Sequence, residues 1–240
     1  ADAFIGVPEP ARIADTRPNG QTIDGTLEGG GPVDGGDVLT VPVLGLDGIP
    51  ENAETAVLNV TTTRSSDNGF FTVFPCSEEV PTASNLNYVE GQIIANAVVA
   101  KLSPEGAVCV FTSADSNVIV DIAGTLPADA FIGLPEPARI ADTRPNGQTI
   151  DGQIEGDGPV DGGDVIRVPV LGLDGIPDDA ETAVLNVTTT NSTATGFFTV
   201  FPCSEEVPTA SNLNYVRGQV IANAVVAKLS ADGDVCVFTS

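Results

Sequence analysis

The sequence predicts an all-β protein built from two tandem domains, and three observations carry that expectation. The chain repeats itself at an offset of 127 residues, Gly and Pro recur between short Val-, Thr-, Ile- and Phe-rich runs, and no stretch sustains apolar residues at three-and-four spacing. The offset aligns Ala1 with Ala128, Arg12 with Arg139, Cys76 with Cys203 and Cys109 with Cys236 without a gap, and 17 of 113 paired positions differ. A period this long suits a whole domain per copy better than a solenoid turn, so the expected domains are 1–127 and 128–240.

In copy one, strands are expected near 12–17, 38–44, 55–63, 69–75, 84–89, 93–103, 107–113 and 117–123. In "TAVLNVTTT", Ala56, Leu58 and Val60 share one face, and in "NVIVDIAG" Val118, Val120 and Ile122 do the same. "RSSDNG" and "SPEGA" read as hairpin tips. Seven of the differences between copies fall within 64–68 and 104–107, as exposed tips would allow. About eight short strands per copy predict a two-sheet sandwich with jelly-roll or Greek-key connections, and a closed barrel is the alternative. The junction "GTLPADAFIGLPEP" reads as a short, semi-rigid spacer.

The two copies end differently. Copy one continues past Ser113 into "ADSNVIVDIAG", whereas copy two stops at the equivalent Ser240, so it is expected to lack its last strand. A slot for that strand would expose backbone groups and apolar surface. It would be filled by the continuation of a longer array or by a strand added from another subunit. The absence of Met points to a processed chain or an excised fragment.

Composition excludes several function classes. Thirty-three acidic against nine basic residues give a net charge of −24, which repels phosphate backbones, so no nucleic-acid partner is expected. The apolar runs fall far short of the ~18 residues of a membrane span, and no membrane insertion is expected. With no His, Ser-His-Asp and Cys-His arrangements cannot form. The carboxylates sit in Gly-rich loops with little apolar surface to raise a pKa, so the expectation is a protein that is not an enzyme.

Four residue sets are candidates for specific roles. Cys76, Cys109, Cys203 and Cys236 allow three pairings; the duplication favours the one that repeats within each copy, and disulfides imply an oxidising, extracellular location. In "ADTR", Asp15 and Arg17 stand at i and i+2 with Arg12 nearby, an Arg–carboxylate clamp repeated as Arg139, Asp142 and Arg144. Asp24, Glu28, Asp34, Asp37 and Asp47, with Asp151, Glu155, Asp161, Asp164 and Asp174, supply hard oxygens near Gly, so calcium is a possible ligand although no cofactor is required. Asn85, Asn87 and Tyr88, with Asn212, Asn214 and Tyr215, could line a shallow glycan site.

The ordered blocks "PARIADTRPNG", "GIPENAETAVLNVTTT", "GFFTVFPC", "PTASNLNYVEGQIIANAVVAKL" and "NVIVDIAG" together resemble a repeat domain of large secreted actinobacterial proteins. The resemblance covers nearly all of both copies. It implies a non-catalytic, secreted or cell-surface module, structural or adhesive, such as a segment of a filament or tandem array; a carbohydrate-binding module is the alternative. The extra Asp and Glu in "TIDGTLEGGGPVDGGD" depart from the common pattern, as does the missing last strand of copy two.

Overall fold

The computed structural model describes residues 4–76, 79–128, 130–203 and 206–240 and contains only strands, turns and coil among them. The chain divides into two units, Ala1–Pro137 and Ala138–Ser240, ten residues beyond the boundary expected from the repeat.

Unit 1 carries eight strands: β1 (Ile5–Asp15), β2 (Val38–Pro42), β3 (Ala53–Thr63), β4 (Gly69–Pro75), β5 (Leu86–Tyr88), β6 (Ile94–Lys101), β7 (Ala107–Thr112) and β8 (Asn117–Pro127). They form two antiparallel sheets, ordered β1-β8-β3-β6 and β2-β7-β4-β5. The hydrogen-bonded pairs are nested, β4 with β5 innermost, then β3 with β6, β2 with β7 and β1 with β8 outermost. This is an eight-stranded jelly roll. The sheets stay separate, so the closed-barrel alternative is set aside.

Period-two alternation builds the core between the sheets. Ala56, Leu58 and Val60 of β3 and Val118, Val120 and Ile122 of β8 are buried. They meet Val41, Phe71, Val73, Leu86, Val108 and Val110 from the facing sheet. On the opposite face of β3, Asn59 is exposed. β8 therefore lies in the middle of its sheet with a strand on each side.

Two strands run further than sequence spacing predicts. β1 starts at Ile5 because register shifts between Gly6 and Ala11 place Pro8 and Pro10 where the ladder requires no amide donor. β8 runs on to Pro127, which takes the first residues of the expected spacer into the sheet: Gly124 pairs with both Gly6 and Val57. A side chain at Gly124 would collide with the carbonyl of Ile5, 2.5 Å from its Cβ position.

Unit 2 keeps one sheet and loses half of the other. Its strands are β9 (Val165–Pro169), β10 (Thr182–Thr189), β11 (Gly196–Pro202), β12 (Leu213–Tyr215), β13 (Ile221–Lys228) and β14 (Asp234–Thr239). They form a complete β12-β11-β14-β9 sheet and a two-stranded β10-β13 ribbon. Among the described residues unit 2 has two strands fewer than unit 1, one more than the sequence comparison predicts. Residues 132–142, the counterpart of β1, form no strand, because in the nested topology β1 pairs only with β8. The core opens accordingly: Leu58 is 1% exposed and Val60 fully buried, whereas Leu185 and Val187 are only half-buried.

The disulfides are Cys76–Cys109 and Cys203–Cys236, the pairing that repeats within each copy. Each ties the end of one strand of the intact sheet to its neighbour, β4 to β7 and β11 to β14. A closed loop of this size contributes about 3 to 4 kcal/mol in the chain-entropy model. Two disulfides suggest an oxidising environment. Among the described residues no helix is long and apolar enough to cross a membrane.

Candidate functional site

The "ADTR" segment ends β1 and turns into a loop that local hydrogen bonds hold. The amide of Asp15 donates to the Leu27 carbonyl at 2.8 Å, that of Gly29 to the Asp15 carbonyl at 3.0 Å, and that of Ile23 to the Arg12 carbonyl at 2.8 Å. Gly20 lies against the backbone of Asp15, where a side chain would strike the Asp15 carbonyl oxygen. Within this frame the buried Asp15 carboxylate accepts from Arg17 through Nε (2.8 Å) and Nη2 (2.6 Å), from the Arg17 amide (3.2 Å), and from Arg12 Nη1 (3.1 Å). The Arg17 guanidinium, more than any other neighbour, holds the Asp15 carboxyl below the usual carboxylate range against the opposing effect of burial.

A member of this network that the sequence did not suggest is Asp121 on β8. Arg12 Nε donates to its Oδ1 at 2.8 Å and Nη2 to its Oδ2 at 3.3 Å, so the clamp also bridges β1 to β8. The only hint in the sequence was an acidic residue breaking an apolar strand.

Unit 2 builds the same loop without the flanking strand. Asp142 donates its amide to Ile154 at 2.8 Å, accepts from Gly156 at 3.0 Å, and pairs with Arg144 through Nε at 2.8 Å and with Arg139 Nη1 at 3.0 Å. Again the Arg foremost in the pairing, Arg144, lowers the carboxyl. All six predicted clamp residues are thus brought together, three in each unit, and their role in the structure is to fix a turn.

Unit 2 also carries a sheet edge that unit 1 lacks at the equivalent strand. β3 is flanked by β6 and β8, whereas among the described residues β10 has a strand neighbour only in β13. A cavity of about 320 Å³ opens in the same unit, lined by Thr143, Ile154, Asp157, Val160, Asp161 and Ile166 among others. In unit 1 the equivalent space is filled by residues Asp115–Val118. Ser116 exchanges backbone bonds with Val33 at 2.9 and 3.0 Å, Asp115 Oδ1 accepts from the Gly35 amide at 2.8 Å, and the Val118 amide donates to Thr16 Oγ1 at 3.0 Å. Val33, Gly35 and Thr16 correspond to Val160, Gly162 and Thr143.

The glycan candidates are placed differently from the expectation. Tyr88 is 3% exposed, its ring packs edge-on to Phe71, and its hydroxyl bonds Thr112 Oγ1 at 2.9 Å. Burial pushes its phenol up. Tyr215 repeats the arrangement with Phe198 and Thr239. Asn85 accepts from the Val73 amide at 2.7 Å, Asn212 from that of Val200 at 2.7 Å, and Asn87 and Asn214 bond Ser84 and Ser211. These residues tie β5 and β12 into their sheets, and neither Tyr presents a face to a sugar.

The acidic candidates are exposed, except the half-buried Asp151 and Glu155, and they lie on several separate turns. Asp24 accepts from Thr26 and Thr22, which lowers its carboxyl, Glu28 accepts from the Thr22 amide at 2.8 Å, and Asp151 and Glu155 serve Thr149 in the same way. Asp34, Asp37 and Asp47 lie on other turns. Among the described residues no group of three or more His, Cys, Asp or Glu side chains converges as a metal shell would require.

Three of the differences between copies form a second cluster. Thr40, Glu105 and Ala107 of copy one become Arg167, Asp232 and Asp234. Arg167 pairs with Asp232 at 2.8 Å and with the buried Asp234, which Ser230 also contacts. Burial pushes the Asp234 carboxyl up, but the bonds from Ser230 and Arg167 outweigh it and hold it below the usual range. Position 107 or 234 starts a strand and is buried, so the changes there are coupled replacements and not the free drift expected of a hairpin tip.

No known family model, curated protein or solved structure matches this chain.

Proposed function

We propose that this chain is a non-catalytic structural module of the cell exterior, a segment of a filament or longer tandem array. The observation that carries this reading is that the predicted site residues serve the fold: Arg12, Asp15 and Arg17, and their copies Arg139, Asp142 and Arg144, fix turns, while Tyr88 and Tyr215 lie in the cores. The within-unit disulfides and the dominance of structural roles among the predicted site residues support an extracellular scaffold. The resemblance to secreted actinobacterial repeat domains points the same way. A carbohydrate-binding role loses its support with the burial of Tyr88 and Tyr215.

Negative-stain imaging of the native secreted material tests the proposal. Rods or filaments with a repeating domain spacing are expected. Isolated particles at every concentration tried would overturn it, and a glycan-array signal from such particles would revive the binding-module reading.

A further inference from the structure

We infer that Asn191, in the loop between β10 and β11, is an acceptor for an N-linked glycan, and that the loop selects it over two further Asn residues whose motifs are held inside strands. The inference rests on the proposed location outside the cell and adds a modification site to it.

Three segments of the chain carry Asn with Thr two residues on and no Pro between them: Asn59-Val60-Thr61, Asn186-Val187-Thr188 and Asn191-Ser192-Thr193. The first is paired on both sides, with Ala97, Asn96 and Ala95 of β6 and with Asp121, Val120 and Ile119 of β8. The second is paired with Ala224, Asn223 and Ala222 of β13. A transferase that must enclose its acceptor segment meets a fixed, extended backbone at both. The third lies beyond the last ladder pair of β10, Thr189 with Ile221, in a loop outside the strands.

That loop presents its two recognised residues and holds itself by the third. Asn191 has φ of 55°, in the left-handed region that Asn tolerates better than most residues. Ser192 is the anchor: its hydroxyl donates to the Val216 carbonyl at 3.1 Å and accepts from the Gly218 amide at 3.0 Å, and its carbonyl accepts from the same amide at 2.8 Å. On either side of it Asn191 and Thr193 are exposed.

Unit 1 shows that the frame does not depend on the motif. Arg64 has φ of 54°, the Ser65 hydroxyl donates to the Val89 carbonyl at 3.2 Å, and the Gly91 amide donates to the Ser65 carbonyl at 3.0 Å. The differences Arg64 to Asn191 and Ser66 to Thr193 therefore place both ends of an acceptor motif on a loop whose anchoring bonds are the same.

The donor is a sugar activated at its anomeric carbon as a diphosphate. The Asn191 side-chain nitrogen forms a bond to that carbon, the bond from the carbon to the phosphate oxygen breaks, the diphosphate leaves with the electron pair, and the amide gives up one proton. No oxidation or reduction is involved. The hydroxyl of Thr193 is the part of the motif that a transferase reads.

The test digests native secreted protein, after reduction, with a glutamyl endopeptidase and sequences the peptides that span Asn59 and residues 182–205 by fragmentation that keeps sugars attached. Sugar mass is expected on Asn191, with Asn59 and Asn186 bare. A bare Asn191 in the secreted material would overturn the inference. Equal occupancy of Asn59 or Asn186 would overturn selection by the loop, since an unfolded chain offers all three alike. In the same host, Thr193→Ala should abolish the modification, and a sugar that persisted would show that the motif is not what is read. Arg64→Asn combined with Ser66→Thr should add a glycan to unit 1, and failure to gain one would overturn the role of the loop frame. Filaments built from bare chains would sink this inference alone, whereas glycosylated particles that never assemble would sustain it and sink the assembly reading.

Discussion

Arg12 reaches across 109 residues of sequence to Asp121, its Nε 2.8 Å from Oδ1, while its Nη1 touches Asp15 at 3.1 Å. One guanidinium thereby joins a local turn to a strand from the far end of unit 1.

The two carboxylates should not be worth the same. Asp15 is fully buried and also holds the Arg17 amide, whereas Asp121 and Arg12 are partly exposed. Asp15→Ala should cost unit 1 about 1 to 3 kcal/mol, and Asp121→Ala at most about 1 kcal/mol, in chemical denaturation followed on unit 1. Equal losses would show that the bridge to β8, and not the turn, dominates.

Acid should destabilise both units through Asp15 and Asp142. Their folded-state carboxyls lie below the ordinary value because of Arg17 and Arg144, so the unfolded chain binds more protons at low pH. The stabilisation is fully present above the unfolded carboxylate pKa of about 3.9 and is lost as pH falls through the lower folded value. A scan of melting temperature from pH 7 to pH 2 should therefore be flat in its upper part and fall below about pH 4. Asp15→Asn should flatten the acid limb of unit 1 while lowering its plateau.

Tyr88 acts as core and not as a ligand platform. Tyr88→Phe should cost about 1 kcal/mol through the lost bond to Thr112, and Tyr88→Ala about 3 to 5 kcal/mol through the cavity beside Phe71, both read from denaturant midpoints. A Tyr88→Ala chain of unchanged stability would contradict this placement.

The Arg167 cluster predicts compensation. Arg167→Thr alone leaves the buried Asp234 with fewer partners and should lower the melting temperature of unit 2. Adding Asp234→Ala restores the copy-one pair, Thr40 with Ala107, and should recover most of the loss. Strictly additive losses in the double mutant would rule out the coupling.

Much of the fold was legible in residue order. The period-two runs of β3 and β8, the repeated Cys pairs and the "ADTR" clamp depend on neighbours along the chain or on the duplication itself. Tyr88 misled because an aromatic next to Asn residues reads the same whether its ring lies in the core or at the surface. Asp121 and the Arg167 cluster escaped because their partners are set by strand register, which residue spacing does not encode.

Residues 5–15 and 132–142 draw the line between the two sources of information. With ten of eleven residues identical, both form the Arg–Asp clamp, so local sequence determined that turn through short-range hydrogen bonds and ion pairs. Only the first is a strand, because a strand's backbone groups need a partner, and β8 supplies one to Ile5–Asp15 alone. Tertiary structure thus decided which of two nearly identical segments became β.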